Sequence, residues 1–495
     1  MIATACAVLA PARALAVGWG INMDGLVQPG TAPIFTYQND PYFTELLGGN
    51  SCADATSNGI CYARIYVPWD AVNDGKGSFS AGTCQKSPAG PGSPATVYAD
   101  EVAAAARAVG VGHVLVALTT SLNTSADIWP TDNGYECGLS GLKQAEPGVT
   151  QWEVFNEPDS AYVPDSIPGG GPNCTARNGV WVATQDQCVL GSPAVTPSGG
   201  NGHGGSAQAA AYWYLDAMRA DPGASQTLVA GGFNFNTSSC LTAACYYLGG
   251  YFRELSRIYP AAPDAIALHP YLDVDYAALN GGDPLPPATS GLPSAQGAIE
   301  AIDQLYPSDP QIWLTEAGVW LTNSGKAGVT GVCGDGNPAD DGTWLACLNG
   351  NPAAQALAAE GYLRLPSESS QITRVYYYDF NNQNVGWDSG LVNLNPGLAG
   401  TSGYGTPRMA WCVLHNFGGG QSPASAEMNA ARPGSACDDQ NPADATYAPV
   451  VAQHFVAGPP PAPVAPPGEV GREFVLTVAE GVQTLLGSLV PGTTG

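Results

Sequence analysis

The sequence predicts an α/β fold of the (β/α)8 type, a TIM barrel, with long disulfide-containing loops on its C-terminal face and a short C-terminal tail. Eight short apolar runs rich in β-branched and aromatic residues alternate with alanine-rich helical segments between residues 16 and 420. Strands that are apolar on both faces are typical of a parallel sheet covered by helices. An open doubly wound sheet is disfavoured, because the first run, GWGINMDG, does not fit the G-x-G-x-x-G phosphate turn.

The elements follow in the order that a barrel requires. The predicted strands are residues 16–25, 62–69, 111–120, 151–158, 227–235, 265–271, 312–320 and 375–382. The predicted helices are residues 97–110, 206–220, 246–259, 294–306, 353–365 and 407–417. Pro407 suits the first turn of the last helix. Two long loops, 160–205 and 321–352, follow strands, so we expect both on the barrel face where active sites are built.

The chain divides into five predicted parts. Residues 1–16 resemble a secretory signal peptide, because a short apolar stretch precedes the small-residue sequence ARALA. Residues 17–420 form the barrel, and residues 421–457 are an extension that packs on it. Residues 458–468, GPPPAPVAPPG, read as a semi-rigid proline-rich linker. Residues 469–495 are a short tail, too small for a domain of its own.

The cysteines indicate an oxidising compartment. Of 13 cysteines, Cys6 falls in the predicted signal peptide, which leaves an even number in loop-like contexts. Neighbours in sequence suggest the pairs Cys52–Cys61, Cys174–Cys188, Cys240–Cys245, Cys333–Cys347 and Cys412–Cys437, with Cys84 and Cys137 left to pair with each other. A metal site has less support, because the chain has no C-x-x-C pair and only five histidines. We therefore expect a secreted protein with disulfides and no metal or other cofactor.

Composition narrows the class of partner. The formal net charge is −26, with only 16 Lys and Arg and no basic cluster, which disfavours nucleic acid as a partner. No stretch is apolar for the ~20 residues that a membrane-spanning helix needs. The 11 Trp and 22 Tyr supply many flat rings, which suit neutral, stackable ligands such as sugars.

Two glutamates follow strands in the predicted barrel. Glu157 ends the fourth strand in WEVFNEPD, and Glu316 ends the seventh in IWLTEAG. Because the carboxyl ends of barrel strands meet at one face, the two carboxylates should face each other across the barrel mouth. Cleavage of a glycosidic bond needs such a pair, one acid to protonate the leaving oxygen and one carboxylate at the anomeric carbon. Each glutamate alone would otherwise be read as a solvated strand end or as a helix N-terminal acid.

These motifs, with LHPY and the arginine of YARIYV, resemble clan A of the retaining glycoside hydrolases. That group of barrels includes cellulases, mannanases, β-xylosidases and iduronidases, and the resemblance covers roughly residues 16 to 420. It implies that Glu157 is the acid/base, Glu316 the nucleophile and Asn156 the amide that binds the sugar 2-hydroxyl. It also implies supporting or substrate-binding roles for Arg64, His269, Tyr271 and Trp387. Weaker candidates for the pocket are Trp19, Asn22, Asp24 and Asp379.

The sequence therefore predicts a secreted retaining β-glycosidase that acts on a poly- or oligosaccharide. A barrel that binds carbohydrate without cleaving it, or an adhesion protein, is the alternative from another class, and a transglycosylase with the same two acids is a third possibility. Retention requires the two carboxyl groups about 5 to 5.5 Å apart, and inversion about 6.5 to 9.5 Å. We expect the shorter separation.

Overall fold

A computed structural model describes most of the predicted barrel. The described residues are 17–23, 41–46, 59–73, 84, 94–119, 130, 132–158, 179–182, 187–190, 207–220, 226–234, 244–284, 294–318, 352–380, 390–392 and 407–430. Several predictions lie outside them and stay predictions: the signal peptide (1–16), Asp24, Trp387, the linker (458–468) and the tail (469–495).

Eight parallel strands close into a barrel, which confirms the predicted fold class. They are β1 (Gly18–Asn22), β2 (Ile60–Pro68), β3 (Val114–Thr119), β4 (Gln151–Glu153), β7 (Thr227–Asn234), β8 (Ala265–His269), β9 (Gln311–Ala317) and β10 (Ile372–Tyr377). The last strand closes on the first, with Ile21 beside Tyr377. The remaining strands, β5 (Gly179–Val182) and β6 (Gln187–Leu190), form an antiparallel hairpin in the insertion after β4. Strands β7 to β10 are thus the fifth to eighth strands of the barrel.

Helices occupy the positions between strands. They are α1 (Pro41–Leu46), α2 (Pro94–Val109), α3 (Asp132–Ala145), α4 (Ala207–Ala220), α5 (Ala244–Ile258), α6 (Tyr271–Leu279), α7 (Ala295–Leu305), α8 (Pro352–Arg364), α9 (Met409–Gly418) and α10 (Pro423–Ala430). In the described part of the chain, none of them is long and apolar enough to cross a membrane. The expected place of Pro407 is wrong: α9 begins at Met409, because Pro407 forms an isolated bridge with Val392 instead.

Helix α3 was not predicted, and its glycines explain why. Its sequence, DNGYECGLSGLKQA, carries residues that disfavour helices when judged by propensity alone. A Cβ atom on Gly138 would lie 2.1 Å from the carbonyl oxygen of Trp69, so the helix approaches that backbone closely only with glycine there. The disulfide between Cys84 and Cys137 fixes the same helix, which confirms this predicted pair. Packing and a covalent link thus override the local propensity.

The other predicted disulfides are covered in part. Cys61 and Cys412 are each disulfide-bonded, whereas their expected partners, Cys52 and Cys437, lie outside the described residues. The remaining predicted pairs also fall wholly or partly outside them, so those pairings stay predictions.

The alternation of side chains along each strand separates an outer core from the barrel interior. On β2, Ala63, Ile65 and Val67 belong to the large core between strands and helices, while Arg64 points the opposite way. A smaller apolar layer fills the interior below the barrel mouth and consists of Leu115, Val229, Ala265, Ala267, Trp313 and Tyr376. Polar side chains that face inward above this layer are therefore held over a closed apolar floor.

Candidate active site

The C-terminal ends of the barrel strands bring together six of the seven predicted site residues, namely Arg64, Asn156, Glu157, His269, Tyr271 and Glu316. Five of them are buried, while Asn156 is partly exposed. The seventh, Trp387, lies outside the described residues. Residues as far apart in sequence as Arg64 and Glu316 thus belong to one hydrogen-bonded cluster.

Glu157 stands beyond the end of its strand rather than on it. The predicted strand 151–158 is shorter in the structure, since β4 ends at Glu153. Glu157 has a φ of 43°, in the left-handed region that few non-glycine residues adopt. Its backbone N–H donates to the carbonyl oxygen of Gly232 over 2.8 Å. Such a conformation costs about 1 to 3 kcal/mol and persists only where surrounding contacts impose it. The surrounding structure therefore holds the backbone of Glu157 in this conformation.

Glu316 reaches the barrel mouth through an irregularity in β9. Leu314 pairs with Val375 and Ala317 pairs with Tyr377, so three steps on β9 oppose two on β10. A bulge of this kind re-aims the side chains that it contains. Both Thr315 and Glu316 consequently join the inward cluster, although neighbours on a regular strand face opposite ways.

The Glu316 carboxylate accepts hydrogen bonds at both oxygens. Oε1 accepts from Nη1 of Arg64 and from the hydroxyl of Tyr66, each at 2.7 Å. Oε2 accepts from the hydroxyl of Tyr271 at 2.8 Å. Burial acts to raise the pKa of Glu316, but the charges of His269 and Arg64 and the hydrogen bonds from Tyr66 and Arg64 lower it below its usual range. Glu316 is thus held as an ionised carboxylate.

Glu157 has the opposite electrostatic character. Burial and the negative charge of Glu316 raise its pKa, and the opposing effects of His269 and Arg64 do not cancel that rise. Nδ1 of His269 shares a hydrogen bond with Oε1 of Glu157 at 3.0 Å. One carboxylate is therefore favoured in its protonated form while the other is favoured in its ionised form.

His269 lies between the two acids. Its Nε2 shares a hydrogen bond with Oγ1 of Thr315 at 3.0 Å and lies 3.6 Å from Oε1 of Glu316. Burial acts to lower the pKa of His269, but the charge of Glu316 and the contact with Glu157 raise it above its usual value. The strand β8 ends at His269, and Tyr271 begins helix α6 rather than extending the predicted strand to 271.

Arg64 connects most of the cluster through its guanidinium. Nε and Nη2 donate to the two oxygens of Glu153 at 2.8 and 2.6 Å, a bidentate pair. Nη2 also donates to Oδ1 of Asn156 at 2.7 Å, and Nη1 to Oδ1 of Asn22 at 2.8 Å. Its side chain is completely buried. Because every edge of the guanidinium has an acceptor, Arg64 fixes the relative positions of its neighbours.

The weaker sequence candidates divide between two faces. Asn22 joins the site, and its Nδ2 donates to the backbone oxygen of Thr315 at 2.8 Å. Trp19 does not, since its ring packs edge-on against Tyr362 and Phe417 in the outer core. An odd spacing of three residues on a strand puts Trp19 and Asn22 on opposite faces. Asp379 is buried after β10.

Three residues of the cluster were missed by the sequence analysis: Tyr66, Glu153 and Thr315. Two of them had a readable signal, because Tyr66 lies two residues after Arg64 on β2, and Glu153 lies two residues after the inward Gln151 on β4. Thr315 had none, since only the bulge in β9 turns it inward beside Glu316.

Within the described residues, Glu157, His269 and Glu316 also form a group whose ligand-type atoms all lie within 4.8 Å of one another. The surroundings do not fit a metal ion. Arg64, Tyr66 and Tyr271 already direct hydrogen-bond donors at both oxygens of Glu316, and a guanidinium beside the carboxylate repels a cation. The donor set instead suits a pair of carboxyl groups with different protonation states.

No protein-family model matches the chain, and no curated protein sequence matches it. Solved structures do match over most of its length. A thermostable mutant of a xylanase from Cellvibrio japonicus is 16% identical with a TM-score of 0.43, over 83% of this chain and 97% of that chain. An endo-β-1,4-glucanase from Xanthomonas axonopodis pv. citri is 13% identical with a TM-score of 0.42, over 81% and 99%. An exo-β-1,4-mannosidase from Opitutaceae bacterium strain TAV5 is 11% identical with a TM-score of 0.39, over 82% and 60%. The fold assignment rests on the closed strand order of this chain itself.

Proposed function

We propose that this protein is a retaining glycoside hydrolase that cleaves β-glycosidic bonds by double displacement. The observation that carries the proposal is that the pKa values of two neighbouring carboxyl groups are shifted in opposite directions. An oxygen of Glu157 lies within 4.8 Å of an oxygen of Glu316, while the pKa of Glu157 is raised and that of Glu316 is lowered. Paired carboxyl groups with separated pKa values are the signature of acid and nucleophile roles.

The short separation supports retention over inversion. An inverting enzyme leaves room for a water molecule between sugar and base, and its carboxyl groups are about 6.5 to 9.5 Å apart. Here one oxygen of Glu157 lies within 4.8 Å of one oxygen of Glu316, which supports the shorter separation of a retaining enzyme. Glu316, the ionised member, attacks the anomeric carbon, while Glu157 gives its proton to the leaving oxygen. In the second step Glu157 takes a proton from water, which then displaces Glu316 from the sugar.

Asn156 supports the same reaction through the direction of its amide. Oδ1 accepts from Arg64 at 2.7 Å, so Nδ2 is the end of the amide that remains for a ligand. A donor on the residue before Glu157, held by the same Arg64 that contacts Glu316, is placed to bind the sugar 2-hydroxyl, a contact that strengthens as the oxocarbenium-like transition state forms.

The proposed substrate class is a neutral β-linked poly- or oligosaccharide. The rings of Tyr66 and Tyr271 each contact Tyr378 edge-on, which builds an aromatic wall beside Glu316. The chain has few Lys and Arg to meet an anionic polymer. Secretion is part of the proposal, and the disulfide between Cys84 and Cys137 supports it, because disulfides persist in oxidising compartments.

Hydrolysis of a panel of nitrophenyl glycosides and polysaccharides tests the proposal. The wild-type protein should cleave at least one β-glycoside, and the Glu157→Gln and Glu316→Gln variants should each lose about 100- to 10,000-fold in kcat/KM on a polysaccharide, whose leaving oxygen needs a proton. Glu300→Gln, which changes an exposed carboxylate on α7, is the matched control. Variants of both acids that hydrolyse as fast as wild type would contradict the proposal, and binding without cleavage by wild type would favour a carbohydrate-binding barrel.

A further inference from the structure

Glu153 is a buried carboxylate that the proposed reaction does not consume. It is fully buried, as is its partner Arg64, and the two form a bidentate ion pair at 2.6 and 2.8 Å. The opposite side of the same guanidinium donates to Glu316 at 2.7 Å. One cation is thus shared between a carboxylate that reacts and a carboxylate that does not.

We propose that Glu153 is a positioning residue that keeps the charge of Arg64 compensated when Glu316 becomes an ester in the glycosyl-enzyme. The proposal rests on the proposed function, and it adds a third carboxylate to the two that react with the sugar.

The charge count through the reaction gives the reason. Before attack, Arg64 faces two carboxylates, Glu153 and Glu316. When Glu316 bonds to the anomeric carbon, its negative charge is lost. Without Glu153, the buried guanidinium would then have no ionised carboxylate among its hydrogen-bond partners, beside a sugar that carries positive charge in the transition state. An unpaired charge in a protein interior is strongly unfavourable. Glu153 therefore lets Arg64 hold the nucleophile without opposing the cationic transition state.

A glycine on the neighbouring strand leaves the space that the Glu153 carboxylate occupies. Glu153 is the last residue of β4 and faces inward. A Cβ atom on Gly232 of β7 would lie only 2.4 Å from Oε1 of Glu153, and Gly232 has a φ of 124°. The same Gly232 accepts the backbone hydrogen bond from Glu157. The glycine thus makes room for Glu153 at the point where the chain also anchors the acid/base.

The titratable groups around Arg64 that respond to its charge come from β2, the segment after β4, β8, β9 and β10. They are Tyr66, Glu157, His269, Glu316 and Tyr376. Loss of the negative charge on Glu153 leaves only Glu316 to compensate Arg64, so more of the positive charge of Arg64 acts on these groups. That charge favours ionised acids and neutral histidine, so it lowers the pKa of each carboxyl group and of the imidazole.

Two substitutions separate the charge of Glu153 from its shape. Glu153→Gln keeps the size and removes the charge, so both limbs of the kcat/KM profile should move to lower pH by about one pH unit, and kcat should fall roughly 10- to 100-fold. Glu153→Asp keeps the charge and shortens the side chain, so kcat falls but the limbs stay near those of wild type. The matched control is Glu360→Gln, which neutralises a buried carboxylate paired with Arg364 on α8 and should leave the profile in place.

A titration of His269 by NMR provides a readout that does not need catalysis. Histidine-labelled protein, with the His269 signal assigned by substitution, should show a lower imidazole pKa in Glu153→Gln than in wild type or Glu153→Asp. An unchanged His269 titration and unchanged profile limbs in Glu153→Gln would overturn the proposal, and so would equal shifts in Gln and Asp variants. A lower imidazole pKa of His269 in Glu153→Gln, together with a wild-type protein that cleaves no glycoside, would instead contradict the proposed function and leave the charge coupling in place.

Discussion

The hydroxyl of Tyr66 donates a 2.7 Å hydrogen bond to Oε1 of Glu316. The same oxygen accepts from Arg64, and the other oxygen accepts from Tyr271. The proposed nucleophile is therefore oriented by three donors from β2 and α6, and each donor favours its ionised form. The pH dependence of the proposed activity should therefore reflect the charges within this cluster.

Substitution of Tyr66 by Phe should shift the acid limb of the kcat/KM profile to higher pH. The hydrogen bond from Tyr66 lowers the pKa of Glu316, so its loss raises that pKa and the nucleophile ionises later as pH increases. A hydrogen bond to a charged group contributes about 1.5 to 3 kcal/mol, so kcat/KM should fall about 10- to 100-fold. Tyr62→Phe, the same change on the same strand, is the control. An acid limb that stays in place would show that Tyr66 does not act on Glu316.

Substitution of His269 by Gln should move both limbs to higher pH. The positive charge on His269 lowers the pKa of Glu157 and that of Glu316, and a neutral amide removes that effect from both groups. The shift is opposite in sign to the one expected for Glu153→Gln. Initial rates on one aryl glycoside over a range of pH measure both variants side by side, and shifts of the same sign would contradict the electrostatic account.

Substitution of Gly232 by Ala should reduce stability and activity together. The added Cβ meets Oε1 of Glu153 at 2.4 Å and the carbonyl oxygen of Phe155 at 3.0 Å, at a φ of 124° that alanine disfavours. We expect a loss of about 1 to 3 kcal/mol in unfolding free energy, measured by urea denaturation. Gly112→Ala is the control, because a Cβ at Gly112 meets no atom within 4 Å. Equal stability of the two variants would contradict the inference that Gly232 leaves the space that Glu153 needs.

Asp275 makes folding stability depend on pH. Burial raises its pKa from 3.8 to about 8. Its stabilising contribution is fully present below the pKa of the unfolded chain and is lost as pH rises from there through about 8, because over that range the unfolded chain ionises Asp275 while the folded protein keeps the proton. In Asp275→Asn this loss is absent, so the melting temperature should fall less between pH 5 and 8 than in wild type. Asp100→Asn, on the exposed face of α2, should follow wild type, and parallel curves for all three proteins would contradict the expectation.

The sequence was sufficient for the barrel because its signals are local and repeated. Each strand is an apolar run, and the order of the strands follows from the rule that consecutive βα units lie side by side. Helix α3 was not predicted, because its glycines allow a close contact with Trp69 and do not favour a helix by propensity. Contacts between distant segments were not visible in the chain.

The same contrast applies to the site. The motif around Glu157 and the strand-end position of Glu316 could be read directly. The bulge that turns Thr315 and Glu316 inward arises from pairing between β9 and β10, which no local pattern records. Trp19 was a wrong candidate, because its face on β1 is fixed by the register of the closed barrel.

Azide rescue of two alanine variants tests the central claim most directly. In Glu157→Ala, the glycosyl-enzyme still forms from an aryl β-glycoside with a good leaving group, and azide displaces Glu316 from the opposite face. In Glu316→Ala, azide enters from the side that the nucleophile has vacated. The account predicts the β-glycosyl azide from Glu157→Ala and the α-glycosyl azide from Glu316→Ala, identified by NMR. The reverse assignment, or the same anomer from both variants, would contradict it.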